Sequence, residues 1–187
     1  MYFCTVEKTK IINAFVVLGT ILKELGENQA YSMRSAAVTE QEFDEINEVI
    51  TREFHYNGWF TEDSIRQAMR GISSWLTSEQ LTEWSNQYPQ NPIQKNVAVI
   101  MAGNIPLVGF HDFLCVLLSG HRVICKQSSE DARILPALVK LLFHFEPELV
   151  DCIRFSDRKL EGYQAVIATG SNNSMLHFEQ YFAHVPH

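Results

Sequence analysis

Four short apolar runs, Asn96–Met101, His121–Lys126, Cys152–Phe155 and Gln164–Thr169, are separated mostly by longer helical patterns, and this alternation constrains the fold more than any other feature. Runs this short, rich in Val, Ile and Ala, suit strands covered on both faces. Between them, Leu107–Leu118 reads as a helix ended by Gly120, and Glu130–Phe145 as a helix stopped at Pro147. Asn173–Phe182 begins another. Strand, helix, strand, helix, strand, turn, strand, helix is the order of an α/β fold with a parallel sheet, and right-handed crossovers place the helices on its faces.

The chain before this alternation reads differently. Ile11, Phe15, Leu18, Leu22 and Leu25 fall at helical spacing, so a first helix is expected from about Val6 to Leu25. A second follows Thr39, with Glu40, Glu42 and Asp44 in the first turn, where the helix dipole favours acids. Asn57–Gly58 breaks it. Thr61 caps a third, and Thr77 with Gln80 has the spacing of a capping box for a fourth. Pro89, Asn91 and Pro92 then make a linker. The expected division is a helical region over 1–92, packing on the sheet, and a sheet region over 93–187.

The chemistry is expected at the strand ends, because open parallel sheets bind ligands beyond the carboxyl ends of their strands. Three strands run straight into polar, turn-rich segments, which must then emerge on one edge. The first carries Ala102, Gly103, Asn104 and Pro106. Gly103 permits close approach of backbone to a ligand, and Asn104 offers an amide donor. The second is Lys126, Gln127, Ser128 and Ser129, a cation and two hydroxyls suited to ribose or phosphate. The third, Thr169, Gly170, Ser171, Asn172 and Asn173, can turn backbone N–H groups toward an anion. Each alone also fits an ordinary turn or a helix cap. Together they read as a nucleotide cleft.

Other chemistries find no support. A net charge of −7 with scattered Lys and Arg leaves no basic stripe for nucleic acid. There is no Walker loop, GxGxxG fingerprint, GxSxG elbow or HExxH, and the histidines show no metal spacing. His111–Asp112 reads as a structural polar pair, and Trp59, Phe60, Trp75 and Trp84 as packing between the two regions. Cys4, Cys115, Cys125 and Cys152 form no CxxC pair and read as reduced thiols of an intracellular chain. The run Ile11–Leu22 is too short to span a membrane, and Lys23–Glu24 stand where a signal peptide needs small residues. A cytoplasmic protein is expected.

Three stretches, Val99–Asp112 (VIMAGNIPLVGFHD), Cys125–Asp131 (CKQSSED) and Val166–Ser174 (VIATGSNNS), together resemble the LuxC-type acyl-CoA reductases of the aldehyde dehydrogenase superfamily, and Asn57–Thr61 (NGWFT) resembles a further family segment. The resemblance covers nearly the whole chain. It implies a Rossmann-like sheet, incomplete relative to the full aldehyde dehydrogenase fold. It also implies a reaction: an enzyme cysteine attacks an acyl thioester, coenzyme A leaves, and hydride from NADPH releases an aldehyde. By the same resemblance Asn104 matches the oxyanion donor and Lys126 the lysine holding the adenosine ribose. Gly170 and Ser171 match a Gly–Ser beside the pyrophosphate.

Two departures refine this. The common superfamily pattern places a glutamate on the ribose hydroxyls. Here Gln127, Ser128 and Ser129 follow the lysine, and a serine would not repel a 2′-phosphate, which tilts the expectation to NADPH. The nucleophilic cysteine and general-base glutamate belong to a part of the family beyond the segment resembling Phe178–His187, and no cysteine here matches. The expectation is the amino-terminal cofactor-binding part of such a reductase, inactive alone, with the acyl thioester as partner of the full-length protein. A non-catalytic nucleotide-binding module is the alternative. No nucleic acid, metal or membrane span is expected, and a homo-oligomer remains open.

Overall fold

The computed structural model describes residues 6–32, 38–88, 93–169, 178 and 180–186. The helical region contains α1 (Lys8–Gly26), α2 (Glu40–Arg52), α3 (Glu62–Ser73) and α4 (Ser78–Asn86). The capping residues named above start three of these. Thr39 and Glu42 make a reciprocal capping box on α2, Thr61 accepts from the Ser64 N–H, and Thr77 from the Gln80 N–H. The α1 stripe is buried throughout. Phe15 is fully enclosed, with the rings of Phe110 and Phe113 edge-on at 6.1 and 6.0 Å.

The carboxyl end of α1 is closed from α3. Arg66, itself buried, donates to the Leu25 carbonyl, to Asn47 Oδ1 at 2.8 Å and to Glu62, while Arg70 donates to the Gly26 carbonyl. Unpaired carbonyls at a helix end favour such cations. Gly19 lets α1 pass close to the turn after α3: a Cβ there would fall 2.6 Å from Leu76 Cβ and 2.9 Å from its carbonyl oxygen.

The second region is β1 (Asn96–Ile100), α5 (Phe110–Leu118), β2 (Arg122–Lys126), α6 (Ile134–Phe145), β3 (Ile153–Phe155) and β4 (Ala165–Ala168). The sheet is open and wholly parallel, in the order β3-β2-β1-β4. Val99 lies opposite Cys125 on one side and Ile167 on the other. The steps from β1 to β2 to β3 run in one direction, so right-handed crossovers put α5 and α6 on one face. There Val97, Val99, Val123, Cys125 and Ile153 join a single core with the helical region. The helical region therefore meets the sheet largely through α5 and α6, both of which touch α1.

The other face carries Ala98, Ile124 and Val166, all buried. The step from β3 to β4 reverses direction without a described helix, so residues 156–164 must cross back over this face. Asn96 fastens that strap by donating its side-chain amide to the Gly162 carbonyl and its N–H to Gln164 Oε1. Residues 178 and 180–182 are helical, and Phe182 meets Tyr163 of the strap edge-on at 5.9 Å. The rest of the helix expected over 173–182 lies outside the described residues.

Two helix starts fall later than the sequence pattern suggests. α5 begins at Phe110 rather than Leu107, and α6 at Ile134 rather than Glu130. Tertiary hydrogen bonds hold the intervening residues in turns. Gly120, at φ +79°, ends α5 as expected.

Candidate functional site

Because β1, β2 and β4 are parallel, the segments after them leave the sheet on the same edge. The strand order reverses between β1 and β4, the position where doubly wound folds open a crevice. The end of β2 is where such folds hold the adenosine ribose.

A cleft of about 620 Å³ opens at the ends of β2 and β3. Lys126, Ser128 and Ser129 line one side, and Phe155, Ser156 and Asp157 the other. The Lys126 ammonium spans it, donating to the carbonyls of Asp157 at 2.8 Å and Arg158 at 3.1 Å. Ser128 Oγ accepts from the Glu130 N–H at 3.3 Å. Neither serine caps α6, whose first turn follows Arg133. Cys125 closes the floor, and burial pushes its thiol up to about 12, so it stays protonated and unreactive at neutral pH.

Of the other two segments, the described residues Ala102, Gly103, Asn104 and Thr169 do not line this cleft. Gly103 packs directly on Ser128: a Cβ would fall 2.5 Å from Ser128 Oγ and 2.6 Å from its Cβ. Ala102 is half-buried beside it, while Asn104 is exposed. Thr169 donates from its hydroxyl to Asp112 Oδ2 on α5 at 3.0 Å, and its N–H bonds the Ile100 carbonyl. Gly170 and Ser171 lie outside the described residues. The sequence expectation of one cleft shared by three loops thus divides: Lys126, Ser128 and Ser129 line the cleft, Gly103 abuts it through Ser128, and Asn104 and Thr169 do not line it.

The contacts that fix the first two segments come from residues the sequence pattern does not single out. Asp131 is buried, and its Oδ2 accepts the Leu107 N–H at 3.0 Å. Leu107 sits at φ +59°, a left-handed conformation that costs a non-glycine residue roughly 1–2 kcal/mol. The hydrogen bond explains how that strain is held. Asn57 bridges both segments from the helical region, donating to the carbonyls of Gly103 at 3.4 Å and Glu130 at 3.2 Å. Asp131 Oδ1 is buried with no partner among the described residues. Burial, with the Glu53 carboxylate adding to it, raises this carboxyl from its ordinary 3.8 to about 6, against the opposing pull of the Leu107 N–H and Arg133.

Beside it, Arg133 forms two hydrogen bonds to the fully buried Glu53, at 2.9 and 2.8 Å, and stacks over the Tyr56 ring at 3.6 Å. A Ser–x–x–Asp spacing after a strand was the available signal for Asp131, but it reads equally as the first turn of a helix. Asn57 was legible as a helix breaker and as the start of the NGWFT segment, but neither signal gives its bridging role.

The aromatic residues divide too. Phe60 is fully buried as expected, but Trp59 is 86% exposed and Trp75 43%. Among the described residues no group of three or more His, Cys, Asp or Glu could hold a metal ion, and no helix is long and apolar enough to cross a membrane. Comparison with known proteins finds no family model, no curated protein and no solved structure that matches the chain, so the fold and this edge geometry are what bear on its function.

Proposed function

We propose that the chain binds the adenosine end of a dinucleotide at the carboxyl end of β2, as the cofactor-binding part of an NADPH-dependent acyl-CoA reductase. One observation carries the binding step: Lys126, Ser128 and Ser129 line a cleft of about 620 Å³ where a parallel sheet holds ribose and phosphate. These residues fit that end of the cofactor by chemistry, one cation and two hydroxyls on a wall also formed by the first turn of α6. Lys126 would exchange its two carbonyl partners for ribose oxygens. Ser129 would stand beside the 2′ position. Asp157 on the opposite wall works against a phosphate, so the preference for NADPH rests on Lys126 and on the lack of a carboxylate at 127–129.

The reductase part of the reading rests on the sequence resemblance. When bound, NADPH would supply the hydride. Asn104, exposed on its loop, would donate to the thioester oxygen as charge develops there. Asp131 and Asn57 hold that loop in place, which supports such a role. The acyl group requires a cysteine thiolate, and the described cysteines do not offer one. Cys125 is held protonated, Cys152 is buried, and burial with the nearby Asp112 pushes the Cys115 thiol up to about 11. That observation favours a second reading, a nucleotide-binding module that performs no chemistry.

Titration with NADPH and NADH tests the first reading. The parent chain is expected to bind NADPH more tightly, and Lys126→Ala to weaken it about tenfold, the loss of one charge-assisted contact. Equal binding by parent and variant removes the role of Lys126, and tighter binding of NADH removes the 2′-phosphate preference. Thioester reduction by the chain alone would overturn the assignment of its cysteines as inert.

A further inference from the structure

A second concavity lies away from the cleft and shares no residue with it. It has a volume of about 470 Å³ and sits between the turn after α3, α4 and α5. Trp75, Gln80 and Trp84 line it, with the buried Leu81 and Leu114 as its floor and the exposed His111, beside Cys115, at its rim. We propose that this cavity binds an uncharged aromatic small molecule against its indole lining, the molecule's polar substituent turned toward His111. The proposal does not rest on the nucleotide reading.

Four observations select that occupant. The volume falls in the range of small-molecule sites. Seven side chains line the recess, far short of the roughly 20–30 residues a side that a stable protein partner engages. The floor is fixed, since Leu81 and Leu114 are buried parts of the core. The lining holds no carboxylate, Lys or Arg, and the Cys115 thiol is kept neutral, so apart from the exposed His111 imidazole no lining group carries a charge to match one on a ligand.

The aromatic preference comes from the walls. Indole rings attract flat rings in stacked or edge-on arrangements, and Trp75 already holds the His111 ring edge-on at 5.9 Å and 84°. His111 is oriented from its own helix: both ring nitrogens lie 3.7 Å from Cys115 Sγ, and Nδ1 lies 3.7 Å from Asp112 Oδ1. The imidazole therefore stands at the rim, with the Gln80 amide as the other polar lining group, and 60% of its side chain is exposed.

Indole is a suitable probe, followed by titration calorimetry on the whole chain. Saturable binding at one site is expected, weakened at least tenfold by Trp84→Ala and by Cys115→Phe, which fills the recess, and unchanged by Trp59→Phe. Absence of binding up to the solubility of indole, or equal affinity in the parent and both pocket variants, overturns the proposal. Tighter binding of 1-decanol than of indole overturns the aromatic assignment. If Cys115→Phe does not fold, alkylation of Cys115 by iodoacetamide in the parent, followed by peptide mass spectrometry, replaces it. Saturating indole is expected to slow that reaction at least fivefold, and an unchanged rate counts against the site.

Discussion

Gly19 and Gly103 are both pinned by a neighbour, yet they show how differently two parts of the molecule are held. At Gly19 a side chain would meet the Cβ and carbonyl of Leu76 inside a core shared by α1 to α6. At Gly103 it would meet a serine on the next loop, near the surface. The helical region is maintained by apolar burial, spread over many side chains. The carboxyl edge of the sheet is maintained by a few directed hydrogen bonds from Asn57, Asp131 and Thr169. Apolar burial tolerates variation in detail but loses much when a large side chain is removed. Directed bonds contribute less to stability and decide where loops sit.

The contrast is sharpest at Phe15. Phe15→Ala is expected to cost about 4 kcal/mol in chemical denaturation, because a fully enclosed ring leaves a cavity among Phe110 and Phe113. A loss under about 1 kcal/mol would break the view that the helical region forms one core with α5. Arg133→Met comes next, at about 3 kcal/mol, since it strands the fully buried Glu53 carboxylate; Glu53→Gln in the same background should recover much of it. This pair joins the helical region to the start of α6, so its measured coupling reports how firmly the two are tied.

The glycines give the direct comparison. Gly19→Ala is expected to cost about 2 kcal/mol by overpacking against Leu76. Gly103→Ala is expected to cost only about 1 kcal/mol in stability, because surface loops yield more readily than a packed core. It should nevertheless weaken NADPH binding severalfold by pushing Ser128 from the cleft. Equal stability losses at the two glycines, with nucleotide affinity unchanged at Gly103, would erase the distinction.

Asp131→Asn has the smallest expected effect at neutral pH, within about 1 kcal/mol, because asparagine can still accept the Leu107 N–H. Its signature lies in the pH dependence. Folded Asp131 keeps its proton up to about pH 6, whereas the unfolded chain releases it near 3.8. The contribution of this group to stability is therefore full below the lower value and lost as pH rises through the folded one, by on the order of 3 kcal/mol. The Asp131→Asn chain should lack that slope in denaturation between about pH 4 and 6. A parent and variant with parallel profiles would show that this carboxyl is not held above its ordinary value.

Much of the fold was legible without coordinates. Thr39, Thr61 and Thr77 start helices where their spacing says, because capping is satisfied within a few residues. The strand runs are bounded to within one or two residues, and in β1 and β2 three successive buried residues show why: burial on both faces demands an unbroken apolar stretch. The edge was less legible. Leu107 and Glu130 continue helical patterns, and only the approach of Asp131 and Asn57 from distant parts of the chain holds them in turns.

What the sequence by itself determined is the α/β order, the parallel sheet and the three segments that share its carboxyl edge. Local spacing and periodicity encode these, since each depends on residues a few positions apart. Only the tertiary structure decided how those segments divide. It set Lys126, Ser128 and Ser129 around one cleft, left Asn104 exposed, tied Thr169 to α5, and formed a separate recess lined by Trp75 and Trp84. The physical reason is reach. Strand order, a buried carboxylate and packed glycines join residues tens of positions apart, and no local pattern records which partners meet.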